Sequence, residues 1–301
     1  MSQLQQHDYL LSEVRALLAK SVQERIGFID KGTYVPYPRA QQILDRLERL
    51  FSRPSGVRPL GSLISAPSGN GKSTIFRVFV KTHPTKVTPE AHVIPVLEVE
   101  APPIPGEKRF LGAMLRAFGA DVLDRGDVEH RMNRVTKYIE GCGVKLILVD
   151  EVHNLLSGSG RQLEETCNLM KYISNQFSLP TVLAGTERAE NVVRSDPQLV
   201  SRFPIVTLPP WKDGGSYRTF LRLMESTLPL ANPSNVASDE IASYLLQESG
   251  GILGDIVLGL KEAAVNAILD GTERITINHL KRSTFSSQQS SLRSKARVLL
   301  E

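Results

Sequence analysis

The sequence predicts an α/β protein, in which a mostly parallel sheet flanked by helices is followed by a small all-helical domain. Between residues 60 and 210, short apolar segments alternate with segments of helical periodicity, which is the pattern of βαβ units. One apolar segment, 145–149, has no polar alternation, as expected of a strand buried on both faces of a parallel sheet. After Trp211 the strand signal ends, and the remaining periodic segments are helical.

The individual elements follow from the spacing of apolar residues and from the positions of glycine and proline. Before the first strand, an amphipathic helix is predicted over 8–25 and a second helix over 39–51. The predicted strands are 60–66, 93–99, 145–149, 179–184 and 204–208. The later helices begin near residue 72 or cover 107–119, 127–140, 161–177, 216–228, 238–249, 254–269 and 276–285.

These elements divide the chain of 301 residues into four predicted regions. The serine- and glutamine-rich end of the sequence, which also carries most of a local basic excess, is interpreted as a flexible tail. The regions are an N-terminal helical extension (1–30), an α/β core (31–210), a helical lid domain (211–285) and a basic tail (286–301).

Composition and charge limit the class of protein. The net charge of +4, from 36 basic and 32 acidic residues, permits contact with nucleic acid but does not require it. Cys142 and Cys167 are too few for a disulfide framework or a zinc site, and we expect them to be buried free thiols. We find no signal-peptide pattern and no apolar run of the roughly 18 residues that a membrane span needs, so we expect a cytoplasmic protein without membrane contact.

The segment from Ala66 to Ser73 matches the phosphate-loop pattern G-x-x-x-x-G-K-[ST], except that Ala66 replaces the first glycine. An apolar strand precedes it and a helix follows it, as the motif requires. Gly69 and Gly71 let successive backbone N–H groups point inward at a helix N-terminus, where they hold a polyphosphate. Lys72 would contact the β- and γ-phosphates of ATP, and the Ser73 hydroxyl would ligate Mg²⁺.

A second apolar strand ends in two carboxylates, Asp150 and Glu151. We expect this strand to lie beside the strand of the phosphate loop, so that Asp150 ligates Mg²⁺ and Glu151 deprotonates the attacking water. An acid pair alone would favour helix capping, and a phosphate loop alone can be a chance match, but together they favour an ATP site. With His153, the residues from Asp150 match the DExH box of some helicases. Such helicases need a second ATPase-like domain, for which the residues after 211 are helical and too few. We therefore interpret His153 as a capping or satisfied surface histidine.

Six segments together resemble the P-loop AAA+ ATPases near the initiator and clamp-loader branch, and within them the TniB/TnsC-type transposition ATPases, with IstB-like helpers more distant. A strand-Asp-Glu motif followed by a helical lid is typical of the superfamily. The segments are TYVPYPRA (33–40), SGNGKST (68–74), PVLEVEAPPIP (95–105), LILVDEVHNLL (146–156), LAGTERA (183–189) and SRFPIVTLPPW (201–211).

The resemblance implies roles for further residues. Thr186 matches the polar sensor between the carboxylates and the γ-phosphate, and Arg202 matches the arginine finger that acts on a neighbouring protomer's ATP, with Arg194 as the weaker candidate. Tyr37 lies in the segment that often covers adenine, although ordinary loop packing explains it equally well. The second sensor arginine has no match in 250–255, and Lys261 follows two turns later, so hydrolysis is expected to be slow and to occur at subunit interfaces. The residues expected to bind the nucleotide are Tyr37, Pro67, Ser68, Gly69, Asn70, Gly71, Lys72, Ser73 and Thr74.

The resemblance also implies partners. Such proteins form homo-oligomeric rings or helical filaments on double-stranded target DNA, through phosphate contacts that carry little sequence information. A DDE-type transposase, and in some systems a target-selection protein, are the expected protein partners. Several basic side chains are expected to contact DNA, although each one taken alone is better explained as part of a solvated charged surface. They are Lys108, Arg109, Arg131, Arg134 and Lys137.

Three other functions are compatible with a nucleotide site. A replication initiator or helicase loader would normally add a DNA-reading domain after the lid, for which only 286–301 remain. A signalling switch that binds ATP without DNA would normally carry a sensor or effector repeat. A small-molecule kinase would not explain the helical domain or the Ser-Arg-Phe segment.

Overall fold

The computed structural model describes residues 7–54, 61–89, 91–122, 127–157 and 160–283, so the predicted tail over 286–301 lies outside the described residues. The chain divides into two compact units. One unit is Arg39–Pro209, and the other combines Met1–Pro38 with Pro210–Glu301. The N-terminal segment therefore groups with the C-terminal helices.

The first unit is built on a parallel five-stranded sheet, as the apolar segments predict. Its strand order is β4-β5-β6-β1-β7, and β2 and β3 form a separate antiparallel pair. The strands are β1 (Ser62–Ser65), β2 (Lys86–Val87), β3 (His92–Val93), β4 (Val96–Glu100), β5 (Leu146–Asp150), β6 (Thr181–Gly185) and β7 (Ile205–Thr207).

The expectation that the acid-pair strand lies beside the phosphate-loop strand is wrong. Strand β6 lies between them, with Val182 paired to Ser62 on one side and to Leu148 on the other. All residues of β1, β5 and β6 are buried, so their composition does not distinguish which of the three is central. Because the strands are parallel, their carboxyl ends still meet at one edge of the sheet.

Helices flank this sheet and pack against its strands. Cys142 and Cys167 are buried free thiols, as expected, and burial raises the pKa of Cys167 to about 11. The apolar core includes Phe110, Met114 and Ile139, which pack against the strands. The helices are α3 (Pro38–Phe51), α4 (Lys72–Thr82), α5 (Glu107–Ala117), α6 (Val128–Gly141), α7 (Gly160–Gln176), α8 (Glu187–Ser195) and α9 (Pro197–Arg202).

The second unit is helical and joins both ends of the chain. A buried guanidinium holds them together: Arg25 pairs with Glu273 and donates to the Pro229 carbonyl oxygen. The Tyr9 hydroxyl also donates to the Leu230 carbonyl oxygen at 2.7 Å. The helices are α1 (Ser12–Arg15), α2 (Val22–Lys31), α10 (Gly215–Ser226), α11 (Asp239–Ser249), α12 (Leu253–Leu269) and α13 (Ile277–Arg282).

Two predicted elements are divided in the structure. The helix predicted over 8–25 is interrupted after a 3₁₀ turn at Ala16–Ala19, because Ser21 begins a new helix, α2. Ser21 and Glu24 form a capping box, in which the Ser21 hydroxyl accepts from the Glu24 N–H and the Glu24 carboxylate accepts from the Ser21 N–H. The strand predicted over 93–99 is interrupted at Pro95, which has no N–H to donate to a neighbouring strand. Within the described residues, no helix is both long and apolar enough to cross a bilayer.

Candidate nucleotide-binding site

The phosphate loop connects β1 to α4 and presents an uncapped helix N-terminus. Gly69 and Gly71 have φ values of +74° and +91°, in the left-handed region that favours glycine. Gly71 is also the N-cap residue of α4, and no side chain caps that end of the helix. The first N–H groups of α4 are therefore oriented to bind an anion, which is what a polyphosphate requires. The exposed Ser68 and Thr74 and the half-buried Pro67 and Ser73 flank this end.

The side chain of Lys72 is almost fully buried, at 4% exposure. Its Nζ atom donates to the Ala66 carbonyl oxygen at 3.0 Å and to the Pro67 carbonyl oxygen at 2.9 Å. Burial lowers the pKa of Lys72, while the nearby Glu151 and Asp150 carboxylates oppose that shift. The ammonium group thus lies against the loop, within electrostatic range of both acids, and exchanging its carbonyl partners for phosphate oxygens would strengthen its pairing.

Asn70 has a side-chain role that the loop pattern does not reveal. Its buried Nδ2 atom donates to the Leu208 carbonyl oxygen at 2.9 Å and to the Pro209 carbonyl oxygen at 3.1 Å. The phosphate loop is therefore tied to the segment that follows β7. The motif marks position 70 only as variable, so the pattern gave no signal for this contact.

The acid pair is held in a defined geometry at the end of β5. Asp150 is buried, and its Oδ1 atom accepts a hydrogen bond from the Glu151 N–H at 2.8 Å. Glu151 itself has a φ of +54°, which is uncommon for a residue other than glycine and is typical of functional sites. This backbone conformation turns the chain from the strand into the 3₁₀ segment Val152–Ser157.

Two further side chains adjoin the acid pair. His153 is half-buried, and its Nδ1 atom lies 3.2 Å from the Glu151 Oε2 atom. The turn after Glu151 brings residue 153 back beside that carboxylate. Glu98 on β4 has a raised pKa, first because of burial and then because of Asp150.

Thr186 directly follows β6, the strand between the phosphate loop and the acid pair. It is the N-cap residue of α8, but its hydroxyl makes no capping hydrogen bond. Thr186 thus lies at the same sheet edge as Lys72, Asp150 and Glu151, as a polar sensor requires. The structure brings these four predicted site residues together.

The two arginine-finger candidates have different surroundings. Arg202 ends α9, and its Nη1 atom donates to the Asn175 Oδ1 atom at 2.9 Å and to the Lys171 carbonyl oxygen at 3.1 Å on α7. Arg194 forms an ion pair with Glu190 on its own helix at 2.7 Å. Glu190 also accepts a hydrogen bond from Ser65, which is the larger cause of its lowered pKa. Arg194 is therefore engaged beside its own phosphate loop.

Tyr37 belongs to the helical unit, where its ring lies 5.3 Å from Trp211 and 5.9 Å from Phe220 between centroids. It is buried, and burial raises its pKa. This packing is what ordinary loop packing would produce, and adenine binding by Tyr37 stays a prediction. In the same unit, the Nζ atom of Lys261 donates to the Asp30 carbonyl oxygen at 3.2 Å.

The prediction that Arg131 on α6 contacts DNA is wrong. Arg131 is buried and donates to the Lys108 carbonyl oxygen at 3.0 Å, where the missing side chain of Gly112 leaves room for its guanidinium. It therefore belongs to the α5–α6 packing, whereas Lys108, Arg109 and Lys137 are exposed and Arg134 is half-buried.

The two predicted metal ligands suit Mg²⁺ better than a metal that needs a cage of protein ligands. Among the described residues, no group of three or more His, Cys, Asp or Glu side chains is arranged to hold a metal ion. Magnesium is usually bound by one or two protein ligands, with phosphate oxygens and water completing the shell. Ser73 at the start of α4 and Asp150 at the end of β5 are the two such ligands predicted here.

Comparison with solved structures identifies the fold. The chain is similar to the Aeropyrum pernix ORC2 protein in ADPNP–ADP complexes, with 17% identity, a TM-score of 0.56, and coverage of 87% of this chain and 71% of that one. It is also similar to the Aeropyrum pernix ORC1 protein in complex with DNA, with 16% identity, a TM-score of 0.59 and coverage of 91% and 69%. Cdc6p from Pyrobaculum aerophilum is also similar, with 15% identity, a TM-score of 0.57, and coverage of 81% of this chain and 66% of that one. The chain thus spans about two thirds of the length of these structures.

A search of curated proteins finds no match. The family model described as "Bacterial TniB protein" matches residues 25–213, which is more than half of the chain and includes the phosphate loop, the acid pair and Arg202. The phosphate loop and the acid strand occupy the sheet edge expected of a P-loop enzyme. The chain therefore belongs to the bacterial TniB family and has the P-loop AAA+ ATPase fold.

Proposed function

We propose that this chain is an ATP-dependent regulator of DNA transposition, which assembles on double-stranded target DNA in its ATP-bound form and recruits a DDE-type transposase. The observation that carries the proposal is the convergence of the phosphate loop, the acid pair and Thr186 at one sheet edge, in a member of the TniB family. The ATPase chemistry follows from that site, and the role in transposition follows from the family resemblance.

The proposed chemistry assigns one task to each residue. Lys72 and the N–H groups of the loop bind the β- and γ-phosphates, and Mg²⁺, held by Ser73 and Asp150, would neutralise phosphate charge. Glu151 accepts the proton of the attacking water, and Thr186 orients the γ-phosphate and that water. Arg202 of one protomer stabilises the charge that develops on the ATP of the next, so hydrolysis is a slow activity of the subunit interface.

The proposed DNA contacts are exposed basic side chains of the ATPase unit. Lys108, Arg109 and Lys137 are exposed, which is compatible with binding to phosphates. Arg134 on α6 is half-buried, and we propose it as a fourth contact. One of the similar solved structures is described as a complex with DNA. We propose a homo-oligomer, as a ring or a helical filament, that can also bind a target-selection protein in the cytoplasm.

The test is DNA binding by the full chain with and without a non-hydrolysable ATP analogue. We expect tight, sequence-independent binding only with the analogue, and a loss of affinity as salt rises because the contacts are to phosphates. Lys72→Ala should bind DNA no better with the analogue than without it, and a double variant Lys108→Ser/Arg109→Ser should bind ATP normally but DNA more weakly. DNA binding that ignores nucleotide would contradict the proposal, and ATP binding without any DNA binding would favour a signalling switch.

A replication initiator or helicase loader is the second candidate, because the similar solved structures include ORC1, ORC2 and Cdc6p. Both candidates bind DNA in an ATP-dependent manner, so DNA binding alone does not separate them. Stimulation of strand transfer by a DDE-type transposase from the same genome would support the first candidate. Stimulation of helicase loading, with no effect on strand transfer, would support the second.

A further inference from the structure

A histidine adjoins the predicted catalytic base and has no role in the chemistry proposed above. His153 is half-buried, and its Nδ1 atom lies 3.2 Å from the Glu151 Oε2 atom. Within the described part of the chain, this buried nitrogen has no hydrogen-bond partner of ordinary geometry. A small rotation of either side chain would therefore form a hydrogen bond between the His153 Nδ1 atom and the Glu151 carboxylate.

The backbone fixes the two side chains in this relation. Glu151 has its φ of +54°, and the Asn154 N–H donates to the Glu151 carbonyl oxygen at 2.9 Å, which closes a tight turn. Val152, fully buried between them, anchors the turn against Gly185 at the end of β6. Residues 151 and 153 are therefore held on the same side of a rigid turn, and neither can move far without displacing Val152.

The Glu151 carboxylate also acts on the phosphate loop. Among the charges that oppose the lowered pKa of Lys72, Glu151 contributes more than Asp150. In the conformation in which it lies beside His153, the carboxylate is therefore within electrostatic range of the loop lysine. A contact that holds it there keeps the base near the phosphate loop.

We propose that His153 is a positioning residue for Glu151, whose Nδ1–H holds the carboxylate in the orientation from which it accepts the proton of the attacking water. This inference rests on the proposed role of Glu151 and adds a residue to it. A neutral histidine with its proton on Nδ1 is sufficient, because only one donor is needed. No covalent step is involved, and the expected effect is on the rate of hydrolysis.

The test compares single-turnover hydrolysis and ATP affinity for three replacements of His153 in the full chain with duplex DNA. His153→Leu keeps the bulk without a donor, His153→Asn places an amide nitrogen near the Nδ1 position, and His153→Gln places one near the Nε2 position. A general base is worth about 100-fold to 10,000-fold in rate, and its orientation is part of that effect, so we expect His153→Leu and His153→Gln to be about tenfold slower. His153→Asn should recover most of the rate, and ATP affinity should stay within about twofold of wild type in all three.

His83→Leu is the matched control, since the His83 Nε2 atom lies 3.3 Å from the Glu48 Oε2 atom at the far end of α4. It removes a similar histidine–glutamate contact and should leave the rate unchanged. The proposal is overturned if Glu151→Gln abolishes turnover while His153→Leu matches or exceeds wild type, or if the Asn and Gln variants are equally slow. Normal turnover in Glu151→Gln would instead refute the proposed base. If the Leu variant does not fold, the Asn and Gln pair alone decides the question.

Discussion

At the scale of single residues, burial is the main influence on the charge of the phosphate-loop lysine. Burial lowers the pKa of Lys72, and the nearby Glu151 and Asp150 carboxylates compensate only in part. The ammonium group donates to the uncharged Ala66 carbonyl oxygen. Phosphate oxygens are better partners for that charge. Binding of ATP should therefore stabilise the folded chain through this residue as well as through the loop N–H groups.

A second residue-scale prediction concerns acid stability of the helical unit. Asp270 accepts hydrogen bonds from the Thr272 side chain, the Thr272 N–H and His279, which together lower its pKa to about 2. Its pKa in the unfolded chain is near 3.8, so the folded state binds the proton less tightly than the unfolded state. The resulting stability is fully present above pH 3.8 and is lost as the pH falls towards 2.

Asp270→Asn should remove this dependence, because the amide does not titrate. Urea unfolding monitored between pH 2 and 5 should show a steeper loss of stability on acidification for wild type than for the variant. The two proteins should converge at the acidic end of that range. Parallel curves over the whole range would show that Asp270 has the same pKa in both states.

At the scale of elements, the site depends on close packing between the end of β6 and the turn after β5. A Cβ atom added at Gly185 would lie 2.8 Å from the Ala189 Cβ atom and 2.9 Å from the Val152 Cγ1 atom. Real Cβ atoms do not approach other carbon atoms so closely. The missing side chain at position 185 therefore lets α8 and the 152–157 turn meet at the strand end.

Gly185→Ala should consequently displace that turn together with Glu151 and His153. We expect a loss of about 1–3 kcal/mol in the free energy of unfolding, which is the usual cost of overpacking, and a fall in ATP hydrolysis at saturating ATP. Gly141→Ala is the matched control, because an added Cβ at the end of α6 meets nothing within 4 Å. If Gly185→Ala were as stable and as active as Gly141→Ala, the packing argument would be refuted.

The same elements separate what the sequence could predict from what it could not. Gly71, Lys72 and the strand-end acids could be located because phosphate binding and Mg²⁺ ligation require particular residue types at fixed spacing. The central position of β6 could not, because β1, β5 and β6 are all fully buried and their order depends on long-range packing. Neither could the short helices α8 and α9, which bury few apolar residues, nor the His153 contact, which depends on the left-handed backbone at Glu151.

At the scale of the whole molecule, the question is whether one chain contains a complete catalytic site. The sheet edge supplies the loop, both acids and Thr186, whereas Arg202 lies at the end of α9 with its guanidinium held by α7. Tyr172 on α7 and Val200 on α9, the two helices that this contact joins, are 48% and 42% exposed. Arginine and exposed apolar or aromatic residues are typical of a protein interface, so we expect the surface of these two helices to meet the ATP site of a second copy.

Mixing two inactive variants tests that arrangement. Arg202→Ala retains the base but offers no finger, and Glu151→Gln offers the finger but lacks the base. In a shared site, an Arg202→Ala protomer regains activity when its neighbour on the finger side is a Glu151→Gln protomer. With equal amounts mixed at random, this occurs for about a quarter of all protomers, so the mixture should reach about a quarter of wild-type hydrolysis although each variant alone is inactive.

Arg194→Ala, mixed with Glu151→Gln in the same way, provides the comparison. Arg194 is paired with Glu190 in its own chain, so the Arg194→Ala variant should hydrolyse ATP on its own, and mixing should only dilute it. Recovery in the Arg202 mixture means that the oligomer, and not the single chain, is the unit of catalysis, and it links ATP turnover to assembly on DNA. An Arg202 mixture that stays inactive, although both variants assemble together, would place the finger in the same chain as the base and remove that link.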